Sequence, residues 1–207
     1  MLKKRKVKIA VFVSGGGTNL QALIDAQNGG SVSSGEIRLV ISNNPEAYAL
    51  VRAKMAGIPT EIIVKNVYSS QADFEKALTE KLSEYGIELI VLAGFMTILS
   101  ESFTSLYPER IINVHPSLIP AFCGKGYYGL KVHEAVLNYG VKITGATVHF
   151  VNEVPDGGKI ILQKAVIIRK GETPQSLQAR VMRQAEWKIL PRAVQTVCKD
   201  ILASEKK

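Results

Sequence analysis

Residues 112–122 read I-N-V-H-P-S-L-I-P-A-F and close a short apolar run. Asn113 and His115 stand two apart, so on an extended segment their side chains share a face. Pro116 then stops the strand, because it has no N–H for a ladder and holds the residue before it extended. A carboxamide and an imidazole are thereby held side by side at a strand's carboxyl end, the edge where open α/β sheets build their sites. The carboxamide can donate to a carbonyl oxygen and the imidazole can move protons. Together they suit attack on an acyl or formyl carbon. The same tetrapeptide also suits a plain strand end with a capping Asn and a satisfied His.

Outward from this stretch, apolar strand-like runs alternate with amphipathic segments, the signature of a parallel sheet with crossover helices. Strands are expected at 7–13, 37–41, 60–64, 89–93 and 111–114. Helices are expected at 19–27 with Thr18 as N-cap, at 47–56 before Gly57, at 71–85, and near 130–138. The run 89–93 is wholly apolar and hence central. Two β-rich runs, 143–151 and 160–168, flank the turn Pro155-Asp156-Gly157-Gly158 and are expected to pair as an antiparallel extension. From Thr173-Pro174 the chain is expected to be helical to about 203, with Pro191 bending or interrupting it. No linker or repeat divides the sequence, so the expectation is one α/β domain over residues 1–207, with a basic tail at 1–6 and a short tail at 204–207.

The 207 residues are 46% hydrophobic and 21% charged, ordinary values for a soluble domain. No window carries the roughly 18 apolar residues of a membrane span, and the amino terminus lacks a signal-peptide cleavage site. Two cysteines, Cys123 and Cys198, are too few for a disulfide framework and read as reduced, hence a cytoplasmic protein. The net charge of +8 includes Lys3, Lys4, Arg5, Lys6 and Lys8, read as a solvated tail. No aromatics interleave with these charges as a nucleic-acid arm would want. The remaining excess favours small anionic substrates.

Ser14-Gly15-Gly16-Gly17-Thr18-Asn19 falls between the first strand and the first helix, where close backbone approach and free N–H groups favour an anion. Leu20 stands where a dinucleotide fingerprint needs glycine, and no Walker pattern follows, so a single phosphate fits better than NAD or ATP. Phe95, Met96, Ile98 and Leu99 either wall a slot for a flat ring or are ordinary core. Asp156 suits its turn, and near His115 it would raise the imidazole pKa and fix the tautomer. That placement is expected if the sixth strand is parallel. His133 reads as solvent-facing, since Leu137 breaks the zinc motif H-E-x-x-H. His149 reads as a core or site-wall histidine. No metal site is expected.

Six stretches taken together resemble the phosphoribosylglycinamide formyltransferase family. They are S-G-G-G-T-N-L-Q-A-L at 14–23, L-A-G-F-M-T-I-L at 92–99, I-N-V-H-P-S-L-I-P-A-F at 112–122, G-A-T-V-H-F-V at 145–151, D-G-G-K-I-I-L-Q at 156–163, and residues 180–191. The resemblance implies a Rossmann-like fold of mostly parallel sheet flanked by helices, with a long C-terminal helix. It implies formyl transfer from 10-formyltetrahydrofolate to the amine of glycinamide ribonucleotide in purine biosynthesis, with both as small-molecule partners. By the same resemblance Asn113, His115 and Asp156 are catalytic, and Gly16, Gly17, Thr18, Asn19, Arg183 and Glu186 bind the ribonucleotide. Met96, Thr97, Ile98, Leu99, Val151, Asn152, Glu153 and Asp156 would form the folate pocket. Thr97 stands where the family commonly has Arg, and Cys123–Tyr128 differs from the family's usual loop.

Competing expectations are a 10-formyltetrahydrofolate hydrolase, which would need a regulatory domain before Ser14, and a methionyl-tRNA formyltransferase, which would need an extra C-terminal domain after this fold. A non-catalytic anion- or nucleic-acid-binding module would use the net charge and leave His115 dispensable. The implied enzyme needs no metal, nucleic acid or membrane and is expected as a monomer or weak homodimer.

Overall fold

A computed structural model describes residues 5–205; Lys3 and Lys4 of the expected basic tail and the last two lysines lie outside them. The elements are β1 (Val7–Val13), α1 (Thr18–Asn28), β2 (Gly35–Ser42), α2 (Tyr48–Met55), β3 (Thr60–Ile62), α3 (Gln71–Glu84), β4 (Leu89–Leu92), α4 (Glu101–Thr104), β5 (Ile111–His115), α5 (Leu130–Tyr139), β6 (Ile143–Phe150), β7 (Ile160–Ile167), α6 (Pro174–Val181) and α7 (Trp187–Ser204). They build one seven-stranded sheet in the order β3-β2-β1-β4-β5-β6-β7. The first five strands pair in parallel; β5/β6 and β6/β7 are antiparallel.

Two apolar layers cover the sheet. Val7, Ile9, Val11 and Val13 face α1, α2 and the C-terminal helices, while Ala10 and Phe12 face Phe74, Leu78 and Leu82 of α3. The period-2 alternation of β1 thus divides its side chains between both cores. β4 lies in the middle of the sheet with all four residues buried, as its unbroken apolar run implies. Strand order reverses between β1 and β4. The crevice at such a switch point is the usual ligand site of an open α/β sheet.

Four details differ from the sequence expectation. Gly17, not Thr18, caps α1: it sits at φ 69°, and Thr18 is the first helical residue. A Cβ at Gly17 would meet the Cβ of Ala49 at 2.6 Å, so the loop needs glycine both for its left-handed backbone and for its contact with α2. β3 ends at Ile62. Pro191 stays inside α7, and the irregularity falls upstream, where residues 182–186 form a π turn.

Arg180 holds α6, and with it this π turn, onto the sheet. Its guanidinium donates to the Glu172 carboxylate at 2.7 Å and to the Ile167 carbonyl, at the end of β7, at 2.6 Å. Arg180→Met alone is expected to cost about 3–5 kcal/mol in denaturant unfolding, because it strands a buried carboxylate. Adding Glu172→Leu should restore most of that loss. A double variant as unstable as the single one would contradict a net role for the pair.

Candidate active site

β5 ends the parallel part of the sheet, and its alternation sets the site. Ile111, Asn113 and His115 project toward the α3 side; Ile112 and Val114 project toward the C-terminal helices. On β6, His149 is the cross-strand neighbour of Asn113, and Thr147 that of His115. Thr147 Oγ1 donates to the Ser117 carbonyl and accepts from the Ile119 N–H, which fixes the chain just beyond His115.

The sixth strand is antiparallel, so the expected route for Asp156 to His115 does not apply. The connection leaves β6 beside Ile112 and turns back toward the glycine-containing segment after Phe122. Gly158 permits this course, since a Cβ there would sit 1.8 Å from the Phe150 carbonyl oxygen. Asp156 adopts φ 58° and Phe122 φ 52°, left-handed conformations that cost an aromatic residue dearly and an Asp less. Both strained residues touch His115.

The contacts form a closed set. Asp156 Oδ2 accepts the Gly124 N–H at 2.8 Å and lies 3.4 Å from His115 Nδ1. Its Oδ1 lies 3.4 Å from His149 Nε2 and from Asn113 Nδ2. Asn113 Nδ2 also meets His149 Nε2 at 3.2 Å. His149 Nδ1 donates to the Phe150 carbonyl at 2.7 Å, which assigns an unprotonated Nε2 to the neutral ring. His115 Nε2 donates to the Phe122 carbonyl at 2.8 Å. Each polar hydrogen that would meet a substrate is thus held by an internal partner in this state.

Burial outweighs the rise that Asp156, as expected, gives the His115 imidazole pKa. Burial pulls the His115 pKa below its ordinary value; Asp156 and the Phe122 carbonyl oppose this without reversing it, and His149 adds to it. Asp156 is itself raised by burial, yet its contacts with His149, His115 and the Gly124 N–H outweigh that and leave its carboxyl below the usual range. Asp156 is therefore an anion at neutral pH, facing an imidazole easily neutral but poised for a proton.

Two clefts open at this end of the sheet, and the alternation of β5 puts Asn113 in one and Val114 in the other. The first, about 110 Å³, is lined by Phe95, Thr97, Ile98, Leu99, Asn113, His149 and the 151–156 connection. The second, about 370 Å³, is lined by Ser14–Asn19, Ala93, Gly94, Met96, Val114, Pro116, Gly129, His133, Gln178, Met182 and Glu186. Of the residues assigned to a folate pocket, Thr97, Ile98, Leu99, Val151, Asn152, Glu153 and Asp156 line the first cleft. Met96 lines the second, because its N–H donates to Ser14 Oγ and turns it to the glycine loop.

Gly16, Gly17, Thr18, Asn19 and Glu186 meet in the second cleft, where Asn19 Nδ2 donates to Glu186 Oε2 at 2.7 Å. Arg183 does not join them: it is exposed and its Nε donates back to the Ala179 carbonyl at 3.1 Å. Gln178 and Met182 line the cleft instead, at the i, i+4 spacing that leads to Glu186. That spacing was legible, but the π turn was not. His133, expected in solvent, is fully buried. α5 lies with this face against α6, and Val132 and Val136 are buried beside it. Among the described residues no cluster of His, Cys, Asp or Glu has metal-holding geometry, and no helix is long and apolar enough to cross a membrane. Burial, then Asp156, raises the Cys123 thiol, so it is no ready nucleophile.

The formyl transferase family model matches residues 7–194. A phosphoribosylglycinamide formyltransferase from Haemophilus influenzae is 42% identical over 184 residues, 89% of this chain and 84% of that protein. The human trifunctional purine biosynthetic protein adenosine-3 is 44% identical over 195 residues; the chain spans 19% of its length. The crystal structure of glycinamide ribonucleotide transformylase 1 from Symbiobacterium toebii superposes with a TM-score of 0.88 at 39% identity, covering 94% of this chain and 89% of that one.

Burial pushes the Glu186 carboxyl from an ordinary 4.5 up to about 7, with the Asn19 hydrogen bond opposing. Between those values the folded protein holds a proton that the unfolded chain has released. Stability from this group is therefore present below pH 4.5 and lost as pH rises through 7. Unfolding free energies measured across that window should fall by roughly 3 kcal/mol more for the unsubstituted protein than for Glu186→Gln. Parallel curves would contradict a buried, titrating Glu186.

Proposed function

This chain belongs to the phosphoribosylglycinamide formyltransferase family of formyl transferases, and from that premise we propose that it transfers the formyl group of 10-formyltetrahydrofolate to the amine of glycinamide ribonucleotide, a step of purine biosynthesis. The observation that carries the reading is that Asn113 and Asp156 stand in the wall of one cleft, while His115 lies buried against Asp156 with its neighbours Val114 and Pro116 in the wall of the other. One cleft has an anion-binding glycine loop and the other has apolar walls. A phosphorylated amine in the first and a flat formyl donor in the second would meet at these residues.

The chemistry follows from the groups present. The amine nitrogen attacks the formyl carbon and the carbonyl oxygen becomes an oxyanion. Asn113 Nδ2 and a protonated His115 donate to that oxyanion once they exchange their internal partners, His149 and the Phe122 carbonyl, for it. The anionic Asp156 stabilises the imidazolium and, directly or through water, helps carry the amine's proton to the departing N10. The C–N10 bond breaks as the new C–N bond is retained, and no acyl-enzyme forms. Gly16, Gly17, Thr18 and Asn19 hold the phosphate end by backbone N–H groups and the α1 dipole. Glu186 faces the sugar. Thr97, Ile98, Leu99 and the 151–156 connection wall the folate, while Met96 and Arg183 fit the ribonucleotide side and solvent better than their first assignments. The enzyme acts as a single formyltransferase domain on small molecules in the cytoplasm, as a monomer or weak homodimer, without nucleic acid, membrane or metal.

His115→Ala should lower kcat about 10²–10³-fold, the usual cost of one oxyanion donor, while glycinamide ribonucleotide binds nearly as before by calorimetry. Equal loss of both would make the residue structural. Asn19→Ala should raise KM for the ribonucleotide and leave KM for the donor unchanged. A change confined to the donor would overturn the assignment of the glycine loop.

A further inference from the structure

The cleft holding the glycine loop contains a polar side chain that the mechanism does not use. His133 lies in the first turn of α5 and forms part of the wall, beside the surfaces of Gly129, Gln178, Met182 and Glu186. The ring is closed to solvent and neither nitrogen has a hydrogen-bond partner. Asn19 Oδ1, in the same wall, is also buried without a partner. A buried unpaired polar group costs about 1–3 kcal/mol, so a fold carrying two in one cleft has a use for them.

The kind of group that would satisfy them follows from their chemistry. Burial, and then the charge on His115, pushes the His133 pKa down to about 4, so the ring is neutral and offers one donor and one acceptor. Asn19 Oδ1 offers an acceptor. A hydroxyl, which both donates and accepts, can use either ring nitrogen. A phosphate only accepts, and its charge would draw a proton onto a ring that burial keeps neutral. The phosphate also has its own place at the glycine loop, and among the described residues no Lys or Arg lines this cleft. Gly126 and Gly129, both at positive φ, lead into the first turn of α5, and Gly129 lines the cleft beside the ring.

We propose that His133 is a substrate-binding residue whose imidazole hydrogen-bonds a ribose hydroxyl of the ribonucleotide held in this cleft. The inference rests on the reading of the cleft as the ribonucleotide site and adds a residue to it. His133→Ala should bind glycinamide ribonucleotide roughly tenfold more weakly by calorimetry, the cost of one such bond, with donor affinity unchanged. The 2′-deoxy and 3′-deoxy forms of the ribonucleotide locate the contact. For one of them, the tenfold penalty of His133→Ala should vanish, because the partner is already missing. In the unsubstituted protein the His133 ring nitrogens should shift in 15N spectra on adding the ribonucleotide, a readout that survives any folding failure of the variant. His133→Gln, which keeps a donor and an acceptor, should recover part of the affinity. Affinity unchanged in His133→Ala, equal losses for the ribonucleotide and both deoxy forms, or unmoved ring nitrogens would each overturn the inference alone. An unsubstituted protein that does not bind the ribonucleotide would overturn the functional reading and this inference together.

Discussion

Asp156 accepts on one carboxylate from the Gly124 N–H and the Asn113 carboxamide and lies 3.4 Å from the His115 and His149 rings, so that three separate segments of the chain meet at it. Two of those segments, β5 and β6, are rigid sheet; the third is a loop with left-handed backbone. The electrostatic pull is strong because the site is buried, and a buried anion must be met by hydrogen bonds or opposite charge. The residue that supplies the anion sits at φ 58°, so local strain and collective attraction are balanced in the same place. Neutralising that carboxylate would leave His115 and Asn113 without the partner that orients them.

The sheet order gives this cluster its surroundings. Because order reverses between β1 and β4, the carboxyl ends of these two strands open a crevice, and β5 extends it toward the antiparallel part. Along β4 and β5, side chains alternate between the two faces. Asn113 on β5 serves one cleft and its neighbour Val114 the other; past the end of β4, Phe95 and Thr97 line the first cleft and Gly94 and Met96 the second. A two-substrate reaction needs separate binding walls that converge on common groups, and here the strand ends, the connections that leave them and the C-terminal helices supply them together.

The fold was legible because its signals were local and repeated. Unbroken apolar runs marked the buried parallel strands, and the Pro-Asp-Gly-Gly turn marked the antiparallel return. Asn113, His115 and the glycine loop were legible for the same reason, as residue types at strand ends. What the sequence concealed depended on packing. Nothing local shows that α5 buries His133 against α6, or that Arg183 turns back to the Ala179 carbonyl while Gln178 and Met182 line the cleft. The net direction of the His115 pKa was also hidden. A carboxylate neighbour is visible as a motif, but the desolvation that outweighs it is a property of the folded interior.

Burial thus holds the site in a resting arrangement, its donors satisfied by the Phe122 carbonyl and by His149, its imidazole below its ordinary basicity. In the proposed reaction the developing oxyanion takes the place of these contacts, so the donor alone should not react. The most direct measurement is the absorbance change of 10-formyltetrahydrofolate mixed with the protein, with and without glycinamide ribonucleotide. Loss of the formyl group only when the amine is present is the expected result. Equal loss without the amine would mean a hydrolase, and no loss in either mixture would contradict a formyl-transfer site at Asn113, His115 and Asp156.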